Sequence, residues 1–472
     1  MNLQTATAPV DRHAEDGLPI PRRYWSVAAI WLALTMAVLD GAIANVALPT
    51  IARELGASPA SSVWVINAYQ LTITVLLLPL AALGDRIGYK CIYIPGLALF
   101  TLGSFGCALG HTLPLLIAAR VFQGLGAACI MSMNAALVRA TYPASMLGRG
   151  IGYNAMVLSM SAAIGPTLAA LILSVASWPW LFLINLPIGV AALIVGRKAL
   201  PDPHGHGQPF DWLSALLSAA MMGCIVFGAE MFAREGPGLG AVLVLTGLAA
   251  GAALVIREWR DPLPMVPLDL LRIPIFTLSI ATSIVSFAAQ MLAYVALPFL
   301  LQSVLGRSVF ATGLLMTPWP IAVGIAAPFA GRLADKVPAG LLGGVGLAIF
   351  AAGLFLLSRL GASPDNFDIA WRMAVCGLGF GLFQSPNNRT IVSAAPKPRS
   401  GAAGGMLATA RLLGQTAGAV TVGAAFHLFG VGAAPHLLLA ASIAALVAGG
   451  VSLLRLRVPG PTRVAAYRPI LD

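Results

Sequence analysis

The sequence predicts an all-α polytopic membrane protein. About fourteen transmembrane helices are expected, arranged as two six-helix pseudo-repeat bundles plus two extra central helices. Three observations predict it. First, the 472-residue chain is 58% hydrophobic and only 10% charged, where a soluble domain carries about 25% charged residues. That much apolar surface needs the bilayer as its solvent. Second, the apolar residues fall into continuous runs long enough to span, about 20 residues at helical rise. A β-barrel would alternate instead. Third, a short charged stretch returns about 250 residues later: Leu83-Gly84-Asp85-Arg86-Ile87 aligns with Leu333-Ala334-Asp335-Lys336-Val337. Both copies follow the second run of a six-run block. An even number of spans per block gives the copies one orientation, hence a parallel repeat about the membrane normal.

The runs, in order, are 25–49, 62–84, 91–110, 112–136, 150–175, 178–196, 212–232, 238–256, 275–298, 309–331, 340–358, 370–393, 402–428 and 435–454. Those at 178–196, 212–232 and 238–256 are the least sharply marked. The expected organisation is a cytoplasmic tail at 1–24, a first bundle at 25–198, linkers with two extra helices at 199–272, a second bundle at 273–457 and a tail at 458–472. The linkers are polar or Pro-rich: RKALPDPHGHGQPFD (197–211) and REWRDPLPMVPLDLLR (257–272). His204 and His206 read as linker, because no third metal ligand lies near them.

Charge sets the expected orientation. With the N-terminus inside, about 20 of the 28 Lys and Arg fall in cytoplasmic loops or tails, Arg22, Arg139, Arg257 and Arg455 among them. Arg53, Arg234, Arg307 and Arg359 fall outside. The net charge of +11 is thus a topology signal. Its dispersal over many loops speaks against nucleic acid as a partner. The five cysteines show no metal or disulfide spacing, no phosphate-cradling glycine loop precedes a Lys-Ser/Thr pair, and no cluster of His, Asp, Glu and Cys suggests an enzyme. No metal or cofactor is expected. The expected partners are the lipid bilayer, protons and an amphipathic small molecule, with the chain a monomer in a bacterial cytoplasmic membrane and both termini inside.

Several residues carry mechanism. Asp40 sits deep in the first span, where an ionised carboxylate is costly unless it pairs or takes up a proton. That suits a proton carrier; a structural hydrogen bond to a neighbouring helix is the alternative. Arg120, near the outer third of the fourth span, must face the bundle interior or a wet cavity, because guanidinium does not readily neutralise. Helix-to-helix packing is its alternative role. Asp85, Arg86 and Lys90 crowd the rim between spans two and three, with Asp85 expected near the start of span three and Gly88 allowing a tight turn. Plain positive-inside decoration is the simpler reading of these charges. Ser161, Gly165 and Ala169 form a small-residue ridge, and Pro166 bends that helix. Polar groups inside spans are candidates for a substrate cavity: Asn45, Tyr69, Gln70, Gln123, Asn154, Gln290, Tyr294, Gln384 and Asn387, with Glu230, Arg411 and Gln415 also noted. The tenth span carries no acid.

Six stretches together resemble the major facilitator superfamily, and within it the fourteen-span drug:proton antiporter subfamily. They are LDGAIANVALP (39–49), GDRIGYK (84–90), RVFQGLGAA (120–128), GPTLAA (165–170), WPWLFLINLPIG (178–189) and GRLADK (331–336). The resemblance implies proton-driven export of amphipathic or cationic toxic compounds by alternating access. It makes Gly84, Asp85, Arg86, Gly88, Lys90, Asp335 and Lys336 a conformational latch. It places Asp40 and Arg120 in proton coupling, with Gln123 one turn along, and Gly165-Pro166 in an antiporter motif that favours export. Here Ala169-Ala170 replace that motif's usual Gly-Gly ending. A transporter of one metabolite is the nearest alternative; a membrane enzyme or a receptor is a more distant one.

Overall fold

The computed structural model describes residues 17–143, 146–202, 211–235, 237–259, 268–334, 336–395 and 400–458. Asp335, His204, His206 and the outermost tails lie outside them, as does the side chain of Glu230. The regular secondary structure of the described residues is helical, with short turns between helices. The helices are α1 (Arg22–Glu54), α2 (Pro59–Ser62), α3 (Trp64–Ile87), α4 (Tyr89–Ala108), α5 (Leu113–Thr141), α6 (Leu147–Val175), α7 (Trp180–Leu183), α8 (Asn185–Ala199), α9 (Trp212–Glu235), α10 (Pro237–Glu258), α11 (Leu268–Leu271), α12 (Pro274–Phe299), α13 (Val309–Met316), α14 (Pro318–Leu333), α15 (Ala339–Ser358), α16 (Asn366–Ala394), α17 (Ser400–Phe429) and α18 (Ala434–Leu454).

Thirteen of the described stretches are long and apolar enough to cross a bilayer, including the three least marked in the sequence. The expected span at 370–393 is not among them. It lies in α16, whose 29 residues include Asp368, Arg372, Asn387, Asn388 and Arg389. Asp368 and Arg372 pair with each other near the start of the helix, and Asn387 finds partners inside the bundle, where burial in protein takes the place of an apolar surface.

Two packing groups emerge. One joins α1 to α6 and α8, α3 to α5, and α4 to α5 and α8. The other joins α15 to α16 and α18, α14 to α16, and α12 to α17 and α18. The pair α9–α10 packs together and rests on α3 and α17, where Trp64 and Phe227 approach to 5.8 Å. Asp211 caps α9 by accepting from the Ser214 backbone N–H at 3.1 Å, and it pairs with Arg257 at the far end of α10. Partial burial opposes its charge, but the bonds from Ser214 and Arg257 prevail and hold its carboxyl down at about 2.

The tightest crossings depend on glycine. A Cβ at Gly126 would lie 2.5 Å from the Gly96 carbonyl oxygen and would overlap the Phe100 backbone. The same crossing occurs between α15 and α16, where a Cβ at Gly379 would lie 2.6 Å from the Gly346 oxygen and overlap the Phe350 backbone. Absent side chains let backbones approach in a medium that supplies little hydrophobic drive.

The two groups meet mainly at the end away from the termini. There Gln302 Nε2 donates to the Val46 carbonyl at 3.1 Å, and the Thr167 and Thr317 hydroxyls bond to each other. Midway along the helices, Gln70 Nε2 donates to Gln415 Oε1 at 3.3 Å and the Thr74 and Thr416 hydroxyls lie 3.1 Å apart.

Candidate functional site

The site is built from α1, α3, α4, α5 and α8 on one side of a central cavity. Asp40 is 2% exposed and Arg120 fully buried. Their ion pair joins Asp40 Oδ2 to Arg120 Nη1. The other carboxylate oxygen, Oδ1, accepts from Gln123 Nε2 at 2.8 Å and from Asn185 Nδ2 at 2.9 Å. Arg120 Nε donates to the Val65 carbonyl at 2.8 Å, and Nη1 also donates to Gln123 Oε1 at 2.6 Å. Ser104 Oγ accepts from Gln123 Nε2 at 2.7 Å and from Asn185 Nδ2 at 3.3 Å. The guanidinium lies over the Tyr69 ring at 4.1 Å, and the Tyr69 hydroxyl donates to the Ala37 carbonyl at 2.8 Å. Most of the network is satisfied, while Arg120 Nη2 and Asn185 Oδ1 are buried without a hydrogen-bond partner; a buried ion pair needs such support, because desolvation otherwise outweighs the attraction.

Tyr69 is also the wall between this network and a cavity of about 150 Å³ that lies between the two packing groups. Ala37, Gly41 and Asn45 of α1 line it on one side; Phe287, Gln290 and Tyr294 of α12 line it on another, and Gln384 of α16 and Arg411 and Gln415 of α17 complete it. One face of α1 therefore touches the cavity and the next face carries Asp40.

Of the sequence-predicted cavity residues, Asn45, Tyr69, Gln70, Gln290, Tyr294 and Gln384 line it. Gln123, Asn154 and Asn387 do not. Gln123 is taken up by Asp40 and Arg120. Asn387 belongs to a second buried cluster: Arg455 Nη1 donates to Asn387 Oδ1 at 2.6 Å and to Ser279 Oγ at 3.0 Å, and Asn387 Nδ2 donates to Ser283 Oγ at 2.7 Å. Arg455, expected in a cytoplasmic loop, is thus only 4% exposed. It is a helix-joining cation held by neutral oxygens.

The rim charges differ in detail from expectation. Asp85 lies in the last turn of α3, which ends at Gly88 with φ +99°, and α4 begins at Tyr89. Asp85 instead reaches the start of α4 by accepting from the Tyr89 hydroxyl at 2.9 Å. Gly84 packs on Met133, where a Cβ would overlap the sulfur. Arg86 and Lys90 flank this corner, and exposed Lys336 follows the end of α14. Gly165 is where α6 touches α1, since its Cβ would overlap that of Ala42. The Pro166 carbonyl faces Gly313 of α13, whose Cβ would come within 2.6 Å of it. One dipeptide thus touches both packing groups.

A model of the Major Facilitator Superfamily matches residues 30–419 and, in a second copy, 278–468. The chain belongs to the major facilitator superfamily. It is 52% identical to the uncharacterized transporter YebQ of Escherichia coli K12, over 94% of this chain and 98% of that one. It is 31% identical to the riboflavin transporter RibZ of Clostridioides difficile, over 83% of this chain and 86% of that one. It is 32% identical to the multidrug resistance protein Stp of Mycobacterium tuberculosis, over 84% and 75% respectively. Its fold is similar to that of a bacterial homologue of the human lysosomal transporter Spinster, solved inward-facing and occupied. That match has a TM-score of 0.67 at 14% identity, over 94% of this chain and 98% of that one. The protein is therefore a multi-pass membrane transporter of this superfamily.

Two members of this transporter's network escape a sequence reading. Asn185 lies in the quoted stretch 178–189 but carries no role there. Ser104 is one small polar residue in a run of apolar ones. The signal for Asn185 is an amide isolated between Leu183, Ile184 and Leu186, where hydrocarbon alone would leave it unsatisfied. Ser104 has no comparable signal.

Proposed function

We propose that this transporter is a proton-coupled exporter of amphipathic compounds, working by alternating access in a bacterial cytoplasmic membrane with both termini in the cytoplasm. One observation carries the reading: the fully buried Asp40–Arg120 pair stands directly behind the cavity wall, separated from it by Tyr69. Protonation of Asp40 removes one charge and frees Arg120 to rely on Val65, Gln123 and the Tyr69 ring. Tyr69 and α1 then shift against the cavity they line, and substrate occupancy feeds back along the same route. Ligand and proton act on one equilibrium through their different affinities for its two states. The ties at Gln302–Val46 and Thr167–Thr317 support a state closed toward the outside. Asp85, Arg86 and Lys90 act as the latch of the opposite state.

Multidrug resistance proteins among the relatives support export. The expected preference for cations finds no support at the cavity, whose described lining contains no acid. A single polar metabolite is the second reading, favoured by the amides Asn45, Gln70, Gln290, Gln384 and Gln415 on the wall and in keeping with the riboflavin transporter relative.

The test uses inverted vesicles with a respiratory proton gradient and a pH-sensitive dye. A panel of amphipathic compounds of either charge, with riboflavin included, is added to vesicles carrying the wild type or Asp40→Asn. Substrate-triggered proton release that disappears in the variant is the expected result. Release that persists in Asp40→Asn removes Asp40 from coupling.

A further inference from the structure

Arg411 is the one charged side chain among the described residues that line the cavity. It lies well inside α17, in a stretch apolar enough to span the membrane. Its Nε is buried with no hydrogen-bond partner, and none of the ion pairs among the described residues includes it. Its one structural contact of note is with the Phe287 ring, 5.8 Å from the guanidinium centre. Asp40 cannot serve it, being bound to Arg120, Gln123 and Asn185 behind Tyr69. A guanidinium stays charged at any depth, and at membrane depth it calls for a counter-charge or strong acceptors. Arg455, which is buried and also lacks a carboxylate, has its acceptors supplied by Asn387, Ser279 and Ser452. Arg411 faces an open volume instead.

We propose that Arg411 is the anion-recognition group of this cavity and that the cargo is an amphipathic organic anion. The inference rests on the cavity being the transport site, and it deepens that reading by assigning the cargo's charge. The carboxylate, or an equivalent anionic group, pairs with the guanidinium in the fork geometry such pairs favour. The rings of Tyr69, Phe287, Tyr294 and Phe380 face the planar or apolar body. Gln415, one turn from Arg411, and Gln384 supply neutral hydrogen bonds beside the charge. A cationic cargo would have to enter beside an uncompensated positive charge with no acid to receive it.

The experiment titrates the full-length protein in lipid nanodiscs with three probes of nearly one shape: 2-naphthoate, 2-naphthamide and 2-naphthylmethylammonium. Binding is followed calorimetrically at pH 7.5, in gluconate so that chloride does not occupy the guanidinium, and with no proton gradient. The expected result is that naphthoate binds about tenfold or more tighter than either other probe, as one charge-assisted pair would give. Arg411→Gln brings the three within about threefold of one another. Arg411→Lys binds more weakly but still favours the anion, which separates charge recognition from a packing role. Equal binding of the three probes, no binding of naphthoate, preference for the ammonium probe, or a preference that survives Arg411→Gln each overturns the proposal. All three probes are compared at one fixed pH, so their order of affinity reports the cavity's charge preference and does not require transport. A failure of coupling with the anion preference intact therefore counts against the export reading alone.

Discussion

At the residue scale, Asp40 and Arg120 depend on each other more than on anything else around them. Removing one partner leaves a buried charge unpaired, which costs about 3–5 kcal/mol. Arg120→Gln is therefore expected to lower the thermal melting of the purified protein sharply. The double variant Asp40→Asn with Arg120→Gln should recover most of that loss yet remain without proton-coupled transport. A double variant as unstable as Arg120→Gln alone would mean that the arginine acts through Val65 and Tyr69 instead. Asp85→Asn tests the latch: transport should fall at least tenfold while the protein reaches the membrane in normal amount, and unchanged transport would reduce the corner to a helix joint. Asp40 and Arg120 were legible in the sequence because a charge inside an apolar run is conspicuous. Arg411 was visible for the same reason, but its freedom was not, since pairing is decided by helices far apart in the chain. The burial of Arg455 was not legible, because it stands at the end of a run, where a loop charge and a buried cap look alike.

At the element scale, α1 and α6 must move as one wherever Gly165 meets Ala42. Gly165→Leu forces the helices apart in a close-packed interior and should abolish transport with a clear loss of stability. Gly450→Ala, at a glycine of α18 with open space around it, should be neutral or slightly stabilising through a stiffer unfolded chain. Equal effects of the two substitutions would refute this account of the α1–α6 contact. The α9–α10 clasp makes a pH prediction. The Asp211 carboxyl is held low, at about 2, so its contribution is complete above the ordinary Asp range near 4 and fades as pH falls toward 2. Wild type should lose more stability than Asp211→Asn when the pH is lowered from about 5 to 3, though by no more than about 1 kcal/mol for so exposed a pair. Parallel pH profiles would remove the clasp from the stability of this helix pair. Helix existence was readable from apolar runs alone. Ends were not: α16 begins at Asn366, four residues before its apolar run, where Asp365 caps it by accepting from the Asp368 N–H at 2.6 Å.

At the scale of the whole molecule, several bonds between the packing groups are neutral: amide to amide at Gln70–Gln415, hydroxyl to hydroxyl at Thr74–Thr416 and Thr167–Thr317. Water replaces such bonds at small cost, which suits surfaces that part and rejoin. Thr167→Cys with Thr317→Cys, in a background lacking the five native cysteines, should form an oxidised link that stops transport, and a reductant should restore it. Full transport in the oxidised state would rule out separation at that end.

The repeated glycine crossing has a last consequence. Counting 253 residues on from Gly126 reaches Gly379; the same step carries Arg120 to Met373 and Gln123 to Cys376, both fully buried. Where α5 presents a cation and an amide, α16 presents two sulfur side chains beside an interlocking stack of Phe287, Phe350, Phe380 and Trp319. The same glycine crossing thus has polar groups beside it in one packing group and apolar ones in the other. On the proposed mechanism the proton-responsive group belongs to the first arm, and the apolar packing of the second gives that arm a firm surface to turn against.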